Sequence, residues 1–405
     1  MDKNIISLSI GNGIAQLISF TTVIITARIF SQSDFGDLAV VVGIAGILRV
    51  LLTLRYETLI VPSKTISISA KVALSCLLIA AALAILISIV NIILIKLFAL
   101  YSIFLSTIIA FCLALQLVTE NFLNKSKRYK NIIFIKIFQS LSIGIFAVLF
   151  GYLSISSGLI FGQLVGVLLS SMFSIFFIRD IFKYSRDLDL PRFLIKNKQT
   201  PKFLVPASLI ESINEQGTII LIATLFLSEI AGFFSLSWRM VVVPISVISA
   251  AFSLIYFERL SSLYNSKENI SKVLISAWIK LLFFSLLVGI LVYFFIDEFI
   301  ITVLGEEWRR SAEIISIIIF LIMARFVSSP TSNIFIILKK LNINLVFSIS
   351  NLFLRFSSIY IGYLMNDFYL GIKIWVIGEI SLIAIYNLYA YYRSKEYEKK
   401  YIKEN

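Results

Sequence analysis

The chain has 405 residues, 59% of them hydrophobic and 15% charged, with a formal net charge of +13. A soluble domain carries about 25% charged residues, so this chain has too little polar surface for one, and a soluble all-helical protein is a poor alternative. Nucleic acid, which a positive balance suggests in a soluble protein, gives way to a simpler account: Lys and Arg collect in cytoplasmic loops as topology signals. Twelve apolar segments are expected to cross the bilayer as helices: 6–30, 35–60, 72–95, 98–123, 132–150, 157–179, 203–226, 232–257, 271–296, 311–337, 345–364 and 371–392. Backbone groups in hydrocarbon must bond within their own segment, and these runs are too long and too continuously apolar for barrel strands.

In chain order, span one follows Met1-Asp2-Lys3-Asn4 and lacks a small-residue cleavage site, so it reads as a membrane helix and not as a removed signal peptide. It carries a polar, small stretch, Gly11-Asn12-Gly13 with Gln16, and ends near Arg28. Span two contains Arg49, Arg55 and Glu57. Arg55 and Glu57 are two apart, so on one helix they would not face each other. Cys76 and Cys112 sit in apolar runs and read as buried filler. Glu120 caps the cytoplasmic end of span four. The longest connection, 179–202, is basic and contains Pro191 and Pro201. Span seven holds Pro206, Glu211, Asn214, Glu215, Gln216 and Gly217. Spans eight to twelve carry, in order, Arg239 with Pro244, Lys280, Arg325 with Pro330, Arg355 and Glu379. The prolines permit kinks.

With the N-terminus inside, 25 basic residues fall in cytoplasmic segments, and only Lys96, Arg309, Arg310 and Lys373 fall outside. That asymmetry orients the chain with both termini cytoplasmic. The expected architecture is an all-α polytopic membrane protein, with twelve transmembrane helices in two six-helix lobes around a central cavity. Its parts are an N-terminal lobe (1–180), a basic cytoplasmic linker (181–202), a C-terminal lobe (203–392) and a cytoplasmic tail (393–405). A weak internal echo supports two halves: Phe30-Ser31-Gln32-Ser33-Asp34-Phe35-Gly36 resembles Phe226-Leu227-Ser228-Glu229-Ile230-Ala231-Gly232, 196 residues later. Parallel repeats of this kind commonly enclose a midplane cavity.

Seven basic residues lie within or at the edges of spans: Arg28, Arg49, Arg55, Arg239, Lys280, Arg325 and Arg355. An ionisable side chain at a helix centre costs about 2.5–3.5 kcal/mol on insertion scales, so it normally faces a cavity or a partner. Arg28 and Arg55 lie near span ends and could equally snorkel to the headgroups. The other five sit deeper, where a cavity-facing role is favoured over a structural ion pair. Glu211 and Glu215 share one helical face. They pair with cavity arginines or hold a coupling H+ or Na+, and pairing is the simpler role. No histidine is present, which removes the commonest general base and metal ligand. No cofactor is called for, and no Gly-rich Lys motif for ATP occurs.

Three pieces, in order, resemble the polysaccharide biosynthesis membrane proteins. They are Ala27-Arg28-Ile29-Phe30 with Phe35-Gly36; Leu54-Arg55-Tyr56-Glu57-Thr58-Leu59-Ile60-Val61-Pro62; and Gly305-Glu306-Glu307-Trp308-Arg309 with Phe326-Val327-Ser328-Ser329-Pro330. The family comprises O-antigen and capsule flippases of the multidrug/oligosaccharidyl-lipid/polysaccharide exporter superfamily. The resemblance implies a flippase, not an enzyme, in the bacterial inner membrane. Its substrate would be an undecaprenyl-pyrophosphate-linked oligosaccharide, moved from the cytoplasmic to the periplasmic leaflet. It implies cavity arginines on spans one, two and eight, which here are Arg28, Arg49 or Arg55, and Arg239. Membrane lipid and other membrane proteins of lipopolysaccharide or polysaccharide assembly are the implied partners. The thirteenth and fourteenth helices of some relatives are absent, so a lipid groove built from them is not expected. Arginine suits a pyrophosphate, since its fork offers paired donors at fixed charge.

Three alternatives compete. A cation-coupled drug exporter of the same superfamily would favour acidic cavity residues, whereas the surplus here is basic. An O-antigen polymerase would need a substantial outer loop, whereas the outer links are short. A membrane scaffold would not need seven cations in its spans.

Overall fold

The computed structural model describes residues 3–98, 101–187, 189–331, 334–338, 340 and 342–401. No strand occurs among them. The helices are α1 (Lys3–Ala27), α2 (Gln32–Thr53), α3 (Ile66–Phe98), α4 (Tyr101–Lys125), α5 (Tyr129–Tyr152), α6 (Gly158–Ile178), the short α7 (Leu190–Lys196), α8 (Gln199–Ser212), α9 (Thr218–Leu225), α10 (Ser228–Asn265), α11 (Ile270–Leu304), α12 (Arg309–Ser328), α13 (Ile334–Ile337), α14 (Asn342–Leu364) and α15 (Phe368–Tyr401). Ten of these are long and apolar enough to cross a membrane, and the chain is a multi-pass membrane protein. The two expected spans outside that ten are also helical. Span seven runs through α8, a π-helical turn at Ile213–Gly217 and α9, and span eight is α10, which carries Pro244 inside it.

Two spans end differently from the sequence expectation. Span two was expected to run to residue 60, but α2 stops at Thr53. Leu54 and Arg55 both take left-handed backbone angles (φ 47° and 61°), and a 3₁₀ turn covers Tyr56–Leu59. The Leu54 N–H closes the last turn on the Leu51 carbonyl, a left-handed helix cap without the usual glycine. Two such residues carry a steric cost of about 1–2 kcal/mol each. Burial of Tyr56 and Ile60 in a core with Cys76, Ile135 and Ile178 offsets it. Span ten was expected to reach 337, but α12 ends at Ser328. Pro330 accounts for the stop, since it disfavours helical geometry at the residue before it.

The chain divides into two compact units, Met1–Ala223 with Ser228–Gly232, and Thr224–Leu227 with Phe233–Asn405. The first unit packs α1 on α5, α5 on α6, and α2 and α3 on α4. Buried Gln116 of α4 donates to Ser170 Oγ of α6 at 2.6 Å, so its amide is bonded inside the bundle. Span seven joins this unit, with the Gln216 side chain lying against Gly46 of α2.

The sequence echo is a physical contact within the same unit. Gly36 of α2 lies against the Ser228 carbonyl, and Gly232 of α10 lies against the Gln32 carbonyl. Both glycine–partner pairs obey the 196-residue shift, so the contact is reciprocal. A Cβ at either glycine would lie 2.0 Å or less from the facing carbonyl oxygen, well inside van der Waals contact, which is why each position is glycine. Ser228 Oγ also donates to Asp37 Oδ1 at 2.5 Å.

The second unit packs α11 on α12, α12 on α15 and α14 on α15. Trp308 and Trp375 are fully buried in it. Helix α15 runs beyond the expected span, and its end is tied back by Glu398, which accepts from the Ser271 N–H at 2.7 Å and from its hydroxyl at 3.0 Å.

Candidate functional site

The helices of the second unit bring one acid and two cations into contact at a depth where none could stand alone. Helix α15 carries Trp375 and Glu379 four residues apart, on one face. Helix α12 supplies Arg325 near its last turn, and α14 supplies Arg355. Arg325 Nε donates to Glu379 Oε1 at 2.8 Å, and its Nη2 donates to the same oxygen. Arg355 Nη2 donates to Oε2 at 3.1 Å, and the Trp375 indole N–H donates to Oε2 at 2.6 Å. The carboxylate is thereby satisfied on both oxygens, as a buried charge must be.

Aromatic rings wall this cluster. The Arg355 guanidinium lies 4.6 Å from the Trp375 ring centroid, and the Arg325 guanidinium lies 5.3 Å from that of Trp238. Trp238 stacks on Trp375 at 5.8 Å, and Phe234 stacks on Trp238 at the same distance. A guanidinium over an indole gains from the ring's negative face, and its weak hydration makes it the cation that tolerates such burial. Two guanidiniums thus converge on the Glu379 carboxylate. Its members differ in access. The side chains of Arg355 and Glu379 are 4% and 2% exposed, whereas that of Arg325 is 31% exposed. Arg325 Nη1 takes no bond among the described residues. The part-exposed Arg325 guanidinium presents an oriented donor, which suits an anion of the phosphate class.

The other residues singled out in the sequence stand as follows. Arg28 is exposed just beyond the end of α1. Arg49 on α2 and Arg239 on α10 are half-buried, and neither meets a carboxylate among the described residues. Lys280 is exposed on α11, between Ile279 and Phe283, which are also exposed. Arg55 pairs with Glu57 at 3.1 Å. That corrects the expectation that they would not face each other, because the left-handed break after Thr53 takes them off a common helix. Glu211 and Glu215 are exposed, and Glu215 lies within the π turn. Asn12 Oδ1 and Gln16 Oε1 of α1 are buried without a hydrogen-bond partner among the described residues.

The sequence reading named Arg325 and Arg355 but gave Glu379 no role, and it missed Phe234, Trp238 and Trp375. A signal was available: the chain has four tryptophans, and two of them sit here, one of them four residues before the acid. Of the three quoted pieces, the one at Leu54 and the one at Gly305 turn out to shape turns. Gly305 takes φ +115°, Trp308 is fully buried against Phe233, and Arg309 pairs with Glu306 at 2.5 Å on the surface. Gly305-Glu306-Glu307-Trp308-Arg309 is therefore the α11–α12 turn and the start of α12.

Comparison with known proteins fits this architecture. The profile of the family "Polysaccharide biosynthesis protein" matches residues 25–313. No curated protein matches the chain. Among solved structures, the lipid II flippase MurJ in an inward closed conformation is similar with a TM-score of 0.72 and 14% identity, over 95% of this chain and 87% of that one. A multidrug resistance MATE family transporter of the MOP superfamily in its inward-facing conformation gives 0.68 and 14%, over 96% of both chains. An outward-facing MATE family transporter gives 0.60 and 14%, over 98% of this chain and 96% of that one. The chain shares its fold with these transporters, and the extent of the profile match makes it a member of the polysaccharide biosynthesis protein family.

Proposed function

We propose that the chain is a flippase for an undecaprenyl-pyrophosphate-linked oligosaccharide, an O-antigen or similar surface-polysaccharide repeat unit. It moves this lipid from the cytoplasmic to the periplasmic leaflet of the inner membrane by alternating access between two lobes. The observation that carries the reading is the excess of guanidinium over carboxylate inside apolar helices. Arg325 and Arg355 share one acid, while Arg49 and Arg239 have none among the described residues. Such cations are costly in a membrane unless an anion completes them. Family membership supplies the polysaccharide pathway, and the fold shared with a lipid II flippase supports a lipid-linked substrate. The oligosaccharide head carries the anion, and the prenyl tail stays in the bilayer. The charge asymmetry of the loops supports cytoplasmic termini. Exposed Glu211 and Glu215 are the candidates for H+ or Na+ coupling.

A second reading, a cation-coupled multidrug exporter, draws on the fold likeness to MATE transporters. The basic surplus argues against it, because cationic drugs need acidic partners.

The test is a strain lacking the gene, complemented by variants. Arg239→Ala, Arg49→Ala and Arg325→Ala are expected to lower surface polysaccharide by about tenfold or more, since a hydrogen bond to a charged group contributes roughly 1.5–3 kcal/mol. Membrane levels of each variant, read by immunoblot, should match the wild type. Arg325→Lys should restore display in part, because the charge returns without the fork. Normal display in all three alanine variants would sink the proposal. Unaltered polysaccharide with raised drug sensitivity in the null strain would favour the exporter.

A further inference from the structure

A groove of about 500 Å³ lies between α11, α12 and α15, and none of the arginine cluster's residues line it. Its polar end holds Glu313, one turn into α12, with Tyr369 and Lys373 from the start of α15. Tyr369 donates its hydroxyl to Glu313 Oε2 at 2.5 Å. Glu313 Oε1 takes no bond, and Lys373 makes no ion pair, among the described residues. Its apolar end holds Phe320 and Ile377, flanked by Tyr293 of α11. Those three are 50%, 67% and 50% exposed in the folded chain. They continue the exposed apolar face of α11 that includes Phe283, Leu287, Ile290 and Phe294, a face suited to lipid in a membrane-spanning helix.

From Glu313 to Phe320 the helix rises about 10 Å. The groove thus starts with two opposite charges at the membrane interface and runs into hydrocarbon depth. Lys373 is one of four basic residues that the loop asymmetry places on the outer side. We infer that this groove is a binding site for a phospholipid with a primary-ammonium headgroup, drawn from the outer leaflet. The lipid's phosphate meets Lys373, its ammonium donates to Glu313, and its glycerol and upper acyl chain cover Phe320 and Ile377. A purely anionic lipid would satisfy the lysine and repel the carboxylate. A choline headgroup carries the positive charge without an N–H to donate. The Tyr369–Glu313 hydrogen bond orients the carboxylate in the groove lining, so the headgroup finds its acceptor already placed.

The experiment is native mass spectrometry of the full chain in detergent, equilibrated with equal amounts of phosphatidylethanolamine, phosphatidylglycerol and phosphatidylcholine. The ethanolamine adduct is expected to exceed each of the others by about fivefold, the factor equivalent to one exposed charge pair. Glu313→Gln should erase the preference over phosphatidylglycerol. Lys373→Ala should weaken the ethanolamine and choline adducts alike. Ile377→Trp leaves both charges in place and fills the groove, and it should abolish the selective adduct without lowering the thermal midpoint. Equal adducts of all three lipids, a preference for phosphatidylglycerol, or an ethanolamine preference that survives both Glu313→Gln and Ile377→Trp would each overturn the assignment.

Discussion

Replacing Glu379 with alanine is expected to destabilise the folded protein by about 3–5 kcal/mol, the cost of leaving a buried charge without its partner. The carboxylate takes hydrogen bonds from Arg325, Arg355 and Trp375 and is the acid they share. Without it, two guanidiniums face each other in a region of low dielectric, and the Trp375 N–H loses its acceptor. Glu379→Gln tests charge alone, because the amide keeps the shape and one acceptor oxygen. It should recover the indole bond and little else. The partner change gives the sharper result. Since replacing a whole buried ion set by apolar residues is often neutral or favourable, the triple variant Glu379→Leu, Arg325→Met, Arg355→Met should melt near the wild type while failing in transport. Thermal unfolding in detergent reads all three. A Glu379→Ala variant within about 0.5 kcal/mol of wild type, the range of an ordinary surface change, would show that the cluster does not carry the second unit.

The second large effect is expected at the reciprocal glycines. Gly36→Leu and Gly232→Leu should each cost about 3 kcal/mol, the upper end of the overpacking range. The obstacle at each is a backbone carbonyl, Ser228 for one and Gln32 for the other, and a carbonyl in a helix cannot swing aside as a side chain does. Alanine already intrudes, so Gly36→Ala and Gly232→Ala should fall between wild type and leucine. Both substitutions push apart the same pair of helix starts. Once one is made the second meets less resistance, and the double leucine variant should cost well under the sum of the singles. Additive costs, or tolerance of leucine at either site, would mean that the close approach of α2 and α10 is not a designed contact.

These two features show what could and could not be seen in the amino-acid order. The helices followed from continuous apolar runs, because hydrocarbon leaves the backbone one way to bond. Pro206 and Pro244 sit inside continuous helices, and Pro330 marks where α12 stops. The end of α2 was not visible: Leu54 and Arg55 enter left-handed geometry without the glycine or asparagine that announces it. The π turn likewise left only a polar stretch, Asn214-Glu215-Gln216. For the site, insertion cost alone picked out Arg325 and Arg355. Their common partner, 54 and 24 residues further along, depends on which helices pack together, and pairing across helices leaves no local spacing to read. The same reasoning misjudged Arg55 and Glu57, whose contact is local but depends on a break in the helix. The echo around Gly36 and Gly232 was legible as a pattern, and its meaning as mutual contact required the fold.

The central claim is that the chain moves a pyrophosphate-linked lipid, and reconstituted vesicles test it most directly. The purified protein would be placed in liposomes with a fluorescent prenyl-pyrophosphate oligosaccharide and, separately, with a neutral glycolipid of the same tail. Arrival in the opposite leaflet would be followed by dithionite quenching. The account predicts that the protein speeds the pyrophosphate lipid well above empty vesicles, leaves the neutral lipid unchanged, and loses about tenfold in rate with Arg325→Ala, in line with one charge-assisted hydrogen bond. Equal acceleration of both lipids, or none of either, would contradict it.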